Sequence, residues 1–108
     1  MAFKVLLTAD AAEDLTDLYA YVSQHDSHKK AEYVLEKIRN KFVSLSETPE
    51  RGGYPKELLY LGIRDYKEIL FKPYRIIYRI DNENVYVYLI VDGRRDMQTL
   101  LQRRLLGA

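Results

Sequence analysis

At 108 residues the chain is one domain, long enough to bury a core without disulfides or metals as staples, and the absence of cysteine excludes disulfides and thiolate metal sites. A hydrophobic share of 47%, a charged share of 31% and a net charge of +1 suit an ordinary globular protein and argue against a nucleic-acid binder coated in lysine. The apolar run before Asp10 is too short for a secretory or membrane segment, so the expected location is the cytoplasm, with no membrane partner.

Phe3 to Leu7 is a short strand candidate. Asp10 followed by Glu13 resembles a capping box, and Ala11, Leu15, Leu18 and Val22 then recur at helical spacing. Gln24 to Ser27 interrupts the pattern. A second stripe runs through Ala31, Val34, Leu35, Ile38, Phe42 and Leu45 and stops before Thr48-Pro49, so the two helices form an αα-hairpin whose apolar stripes need a sheet to cover them. Glu47 to Gly62, with two prolines and three glycines, reads as a surface loop holding one helical turn at Glu57 to Tyr60. The Gly52-Gly53 pair lacks the Lys-Ser/Thr of a phosphate loop.

Ile63 to Asp96 reads as a three-stranded antiparallel meander. Its first strand is Ile63 to Phe71, ended by a turn at Lys72-Pro73. Along the second, Tyr74, Ile76, Tyr78 and Ile80 alternate with Arg75, Ile77 and Arg79. Asp81 to Asn84 closes a hairpin, and Val85 to Val91, apolar on both faces, suits a central strand. Asp96 can cap a last helix with Met97, Leu100, Leu101 and Leu105 on one face and Arg103 and Arg104 in its final turn.

Charge is uneven: residues 1–62 hold 8 Lys+Arg and 10 Asp+Glu, giving −2, whereas residues 63–108 hold 9 and 6, giving +3. His25 and His28 lack an obvious third ligand, so no metal site is expected. The serines all lie in the helical half and make no nucleophilic triad. Tyr74, Tyr78, Tyr86 and Tyr88 are explained by strand packing. The arginines allow two readings. Arg75 and Arg79 on one strand face, with Arg94-Arg95 beyond Gly93, can gather guanidiniums for phosphate or carboxylate. Alternatively Arg75 and Arg95 pair with internal carboxylates such as Glu68, Asp92 or Asp96 and tie the last helix to the sheet.

The order strand, helical hairpin, loop, meander and C-terminal helix, with Pro73-Tyr74-Arg75-Ile76-Ile77-Tyr78 and the later Arg95, Asp96, Thr99, Leu100, Arg104 and Leu105, resembles the RelE/ParE superfamily of type II toxin–antitoxin toxins. The resemblance spans nearly the whole chain and is greatest to the ParE branch. It implies an α+β fold and a growth-arresting, plasmid-stabilising toxin that poisons DNA gyrase by binding, without a cofactor. It also implies a ParD-like ribbon-helix-helix antitoxin in a hetero-oligomer, with operator DNA reached through that antitoxin. Target-binding candidates are then Arg75, Arg94, Arg95, Arg103 and Arg104, and antitoxin anchors lie near Leu18, Val22 and Leu35. The superfamily's other branch cleaves messenger RNA on the ribosome, and its basic set is matched here by Lys67, Arg75 and Arg95. The next basic position is Glu68 or Ile69, the C-terminal tyrosine position is Leu101, and the C-terminal half has no histidine. The proton-transfer groups that such cleavage needs are therefore missing, which favours a binding poison over a nuclease. A third reading is a non-toxic, antitoxin-binding regulator.

Overall fold

A computed structural model of the chain describes residues 2–107. A mixed four-stranded sheet has the order β1-β4-β3-β2, with β1 at Lys4–Leu7, β2 at Lys67–Phe71, β3 at Tyr74–Asp81 and β4 at Asn84–Asp92. Helices α1, Ala9–His25, and α2, His28–Val43, cover one face; the short α3, Lys56–Leu59, and α4, Met97–Leu106, belong to the other. This is the α+β arrangement expected from the sequence, and β4 is one of its two inner strands, as its apolar pattern predicts. The pairing of β1 was not legible: it runs parallel to β4, Lys4 opposite Asn84 through Leu7 opposite Val87.

Three local expectations are corrected. The cap of α1 is Thr8, whose hydroxyl accepts from the Ala11 backbone N–H at 3.1 Å, so Asp10 lies inside the first turn and not at its cap. The second helix closes at Val43, and Leu45, last of the stripe, is buried from a 3-10 turn at Ser44–Ser46. β2 begins at Lys67 and not at Ile63, because the preceding segment turns away to seat Tyr66 edge-on against Tyr88, ring centres 5.5 Å apart. Ser27 caps α2 and Asp96 caps α4 through their side-chain oxygens. Asn82, at φ +56°, turns the β3–β4 hairpin in a left-handed conformation that asparagine tolerates.

The sheet separates two cores. On the hairpin side Leu18, Val22, Val34 and Ile38 meet Ile69, Ile76, Tyr78 and Val87. On the other side Leu58, Tyr66, Met97, Leu100 and Leu101 meet Ile77, Leu89 and Val91. A β-bulge allows β4 to serve both. Its register passes from Ile77↔Leu89 to Tyr78↔Val87, leaving Tyr88 as the extra residue. Strict alternation would place Val85, Val87, Leu89 and Val91 together. With the bulge, Val85, Val87 and Ile90 face the hairpin while Leu89 and Val91 face α4.

Candidate functional site

The alternation of β3 sends Arg75 toward the α4 side, where its guanidinium is held on three edges. Nη1 and Nη2 each donate to a carboxylate oxygen of Glu57 at 2.8 Å, and Nε donates to Glu68 Oε1 at 2.8 Å. The three side chains are 11%, 11% and 17% exposed. Such paired, fixed-geometry bonds are the strongest that a guanidinium makes. The hydrogen bond from Arg75 holds the Glu57 carboxyl below its ordinary range, and the Glu57 and Glu68 carboxylates raise the already high affinity of Arg75 for its proton. Gly93 packs against the stem of this arginine: a Cβ there would lie 2.5 Å from Arg75 Cδ.

The remaining arginines divide into two groups. Arg104 donates to both carboxylate oxygens of Asp14, at 3.2 and 3.0 Å, and to the Tyr88 carbonyl at 3.1 Å. Asp14 in turn accepts from the Ile90 backbone N–H at 3.1 Å, so one ion pair joins α1, the bulge of β4 and the end of α4. Arg94, Arg95 and Arg103 are exposed. Arg94 folds back on Asp92, Nη2 to Oδ2 at 2.6 Å, and holds that carboxyl below its ordinary range. Among the described residues Arg95 and Arg103 have no ion-pair partner.

A hollow of about 470 Å³ lies between α1 and the ends of β3 and β4. Leu18 and Val22 form part of its floor, Tyr21 and Tyr74 its walls, and Asp17, Asp92, Arg94 and Arg95 its charged margin. Leu18 and Val22 are core residues, 9% and 8% exposed, and Leu35 is half-buried on α2 outside the hollow. Beside the hollow, among the described residues, no strand pairs with β4 beyond Val87 on its β1 side, and its Ile90 N–H is taken by Asp14. Burial raises the pKa of the Tyr74 hydroxyl.

The structure separates the residues matched to the nuclease set. Lys67 is paired with Tyr78 and Leu70 with Arg75, so the register places Lys67 and Arg75 on opposite faces of the sheet. Lys67 lies over the Tyr54 ring, its Nζ 4.5 Å from the centroid, and Leu101 is fully buried. The imidazole of His28 bonds the Ser23 hydroxyl, and His25 stacks on Tyr21; among the described residues no group of three or more His, Asp or Glu could hold a metal. Sequence reasoning missed Glu57, because its partner is 18 positions away through an irregular loop. Its one visible signal was a carboxylate opening an otherwise apolar Leu-Leu-Tyr-Leu turn.

The sequence profile of the ParE toxin of type II toxin–antitoxin systems, parDE, matches residues 5–97. The chain is 29% identical over 101 residues to Toxin ParE3 of Caulobacter vibrioides, covering 94% of this chain and 97% of that protein. Among solved structures it resembles a chain of the chromosomal ParDE system of P. aeruginosa, with a TM-score of 0.71 at 18% identity over 84% of this chain and 96% of that one. It also resembles a chain of the RelBE2 toxin–antitoxin complex of Mycobacterium tuberculosis, with a TM-score of 0.60 at 23% identity over 85% and 92% of the two chains. The superfamily expected from the residues is thereby shown, and the profile carries the narrower assignment: the chain belongs to the ParE family of type II toxins, proteins whose partner is an antitoxin.

Proposed function

We propose that this toxin arrests growth by binding DNA gyrase and holding its DNA break open, and that a ParD-like ribbon-helix-helix antitoxin neutralises it. The observation that carries the reading is the state of Arg75. A guanidinium that cleaves RNA must meet a phosphate as charge develops on it, and here Glu57 and Glu68 already take its donors. Lys67 lies across the sheet and Leu101 is buried, and the two carboxylates that do stand beside Arg75, Glu57 and Glu68, are engaged as its ion-pair partners. A poison that acts by binding needs no such group. It needs an exposed surface, and Arg94, Arg95 and Arg103 supply cations suited to DNA phosphates or acidic protein. Arg75 and Arg104 act in this reading by fixing the elements that display the others.

The antitoxin is assigned to the hairpin side. The hollow over Leu18 and Val22 offers an apolar floor beside a stretch of β4 whose backbone is held by side chains, Asp14 on the Ile90 N–H and Arg104 on the Tyr88 carbonyl, and by no strand, a surface on which a folding segment can be captured. Leu35, half-buried on α2 outside the hollow, is a further candidate anchor on the hairpin side. Operator DNA is reached through the antitoxin in a hetero-oligomer, and the module acts in the cytoplasm.

The test is gyrase with relaxed plasmid and ATP, the products examined after the enzyme is denatured. Accumulated linear DNA is expected with this toxin and is suppressed by the antitoxin. Fully supercoiled, intact plasmid at excess toxin, with messenger cleavage on ribosomes instead, overturns the reading.

A further inference from the structure

Residues 58–61 read Leu-Leu-Tyr-Leu, and the structure spends only the first on the core. Leu58 is fully buried, whereas Leu59, Tyr60 and Leu61 are 38%, 87% and 43% exposed. Scattered apolar side chains on a surface need no explanation, but three consecutive ones on a rigid tip do. The tip is rigid by its backbone: Tyr60 N–H donates to the Lys56 carbonyl, Leu61 and Ile63 N–H donate to the Leu58 carbonyl and Gly62 N–H to that of Leu59, all at 2.9–3.0 Å. Gly62, at φ +77°, closes the turn in a conformation open to glycine. Below, Leu58 is gripped by α4, and the neighbouring Glu57 is bound by Arg75.

We infer that the Leu59-Tyr60-Leu61 tip is the knob by which this toxin seats on its target, a folded protein offering an apolar hollow with a carboxylate rim. This rests on the reading that the toxin acts by binding a protein target. A tip ordered before binding forfeits little entropy on docking, and tyrosine is among the residues that dominate interface energy. The rim follows from charge. The exposed groups around the tip and on α4 and its approach are Lys56, Arg64, Arg95 and Arg103 against Asp65 and Asp96. Arg75 offsets one of the two carboxylates that bind it, Glu57 and Glu68, so that cluster adds −1 and leaves the sum at +1. The excess is positive, so a second copy of this chain meets like charge there while an acidic surface meets its complement. The tip also belongs to the α4 side of the sheet, and Leu59, Tyr60 and Leu61 do not line the hollow assigned to the antitoxin, whose margin shares only Arg95 with this surface.

The experiment compares Tyr60→Ser, Leu59→Ser with Leu61→Ser, Lys56→Glu with Arg64→Glu, and Val43→Ser, an exposed apolar control on α2. Each is induced at graded levels without antitoxin, and each is purified with the cognate antitoxin and sedimented. About 30-fold more Tyr60→Ser than parent is expected for the same arrest, as for an interface hot spot. The charge reversal weakens arrest likewise, and antitoxin affinity and the Val43→Ser response are unchanged. Undiminished arrest by Tyr60→Ser overturns the inference. So does a parallel loss of antitoxin binding, which makes the antitoxin the occupant, or a parent dimer that becomes monomeric, which makes it a second copy. A parent that arrests growth yet leaves no linear DNA with gyrase refutes gyrase alone, and the arrest data still judge the tip. A parent that never arrests growth refutes both.

Discussion

Replacing Arg75 by methionine keeps much of the aliphatic stem and deletes the charge. Glu57 and Glu68, 11% and 17% exposed, then remain near one another with no cation. Removing one partner of a buried pair costs about 3–5 kcal/mol, because the surviving charge keeps its desolvation penalty. Two carboxylates share the loss here, so the upper half of that range is expected, a fall in melting midpoint of about 15–30 °C. Adding Glu57→Leu and Glu68→Leu removes the stranded charges and should recover most of the deficit. The dependence on pH gives a second reading. Arg75 depresses the Glu57 pKa from its ordinary value of 4.5, so the folded state binds that proton less readily than the unfolded chain. The contribution is complete above the ordinary value and is lost as pH falls through the depressed one. In Arg75→Met the sign inverts: stranded carboxylates take up protons more readily when folded, so acidification from neutrality toward about pH 5 should stabilise the variant relative to the parent. Urea unfolding followed by far-UV circular dichroism and tyrosine fluorescence measures both. If Arg75→Met stays within about 1 kcal/mol of the parent at pH 7, where breaking a buried pair should cost several times that, the arginine is not the clamp described.

Three further predictions follow from single contacts. Tyr78, fully buried, donates to the Pro49 carbonyl at 2.6 Å and accepts from the Gly52 N–H at 3.1 Å. Tyr78→Phe should therefore cost about 1–3 kcal/mol in urea unfolding, and an unchanged midpoint would mean that water satisfies both groups. Gly93→Ala meets an arginine stem that cannot yield because its head is clamped, and should cost about 1–3 kcal/mol by overpacking. The matched control is Gly53→Ala, which has open space around it, and equal effects at both positions would refute the steric argument. Arg104→Met strips Asp14 and the Tyr88 carbonyl of their shared donor and should cost about 1–3 kcal/mol. Hydrogen exchange should then accelerate in α4 and around Ile90 before the hairpin, and uniform acceleration would show that the pair does not fasten those elements specifically.

The fold was legible because its elements carry strong periods. The stripes through Leu18 and Val22 and through Val34 and Ile38, and the alternation of Tyr74, Ile76 and Tyr78, each name one face, and those faces meet. What escaped depends on pairings distant in sequence. Thr8 displaced Asp10 as the cap because the chain leaves β1 directly into the helix. Nothing local distinguishes the parallel docking of β1 on β4, or the extra residue at Tyr88, from ordinary strand chemistry. The site was half legible. Arg75 and Glu68, diagonal neighbours on one face of the β2–β3 ladder, could be paired from sequence, whereas Glu57 could not, and its arrival makes Arg75 a clamp. Glu47 to Gly62 reads as a surface loop, which agrees with the exposure of Leu59 to Leu61, whereas the burial of Leu58 within it was hidden.

The parallel pairing of the first strand also sets the order in which the chain can become a protein during synthesis. β1 spans Lys4–Leu7 and its strand partner is Asn84–Val87, so the first strand leaves the ribosome long before anything exists for it to join. The helical hairpin can form early from local contacts, but its apolar face waits for strands made later. Distant pairings of this kind are slow to close. The last turn of α4 then ties back to the first helix through Arg104 and Asp14, joining the first helix of the fold to its last. A chain that lacks β4 is missing residues of both cores, so the folded toxin cannot form until β4 and α4 have been made.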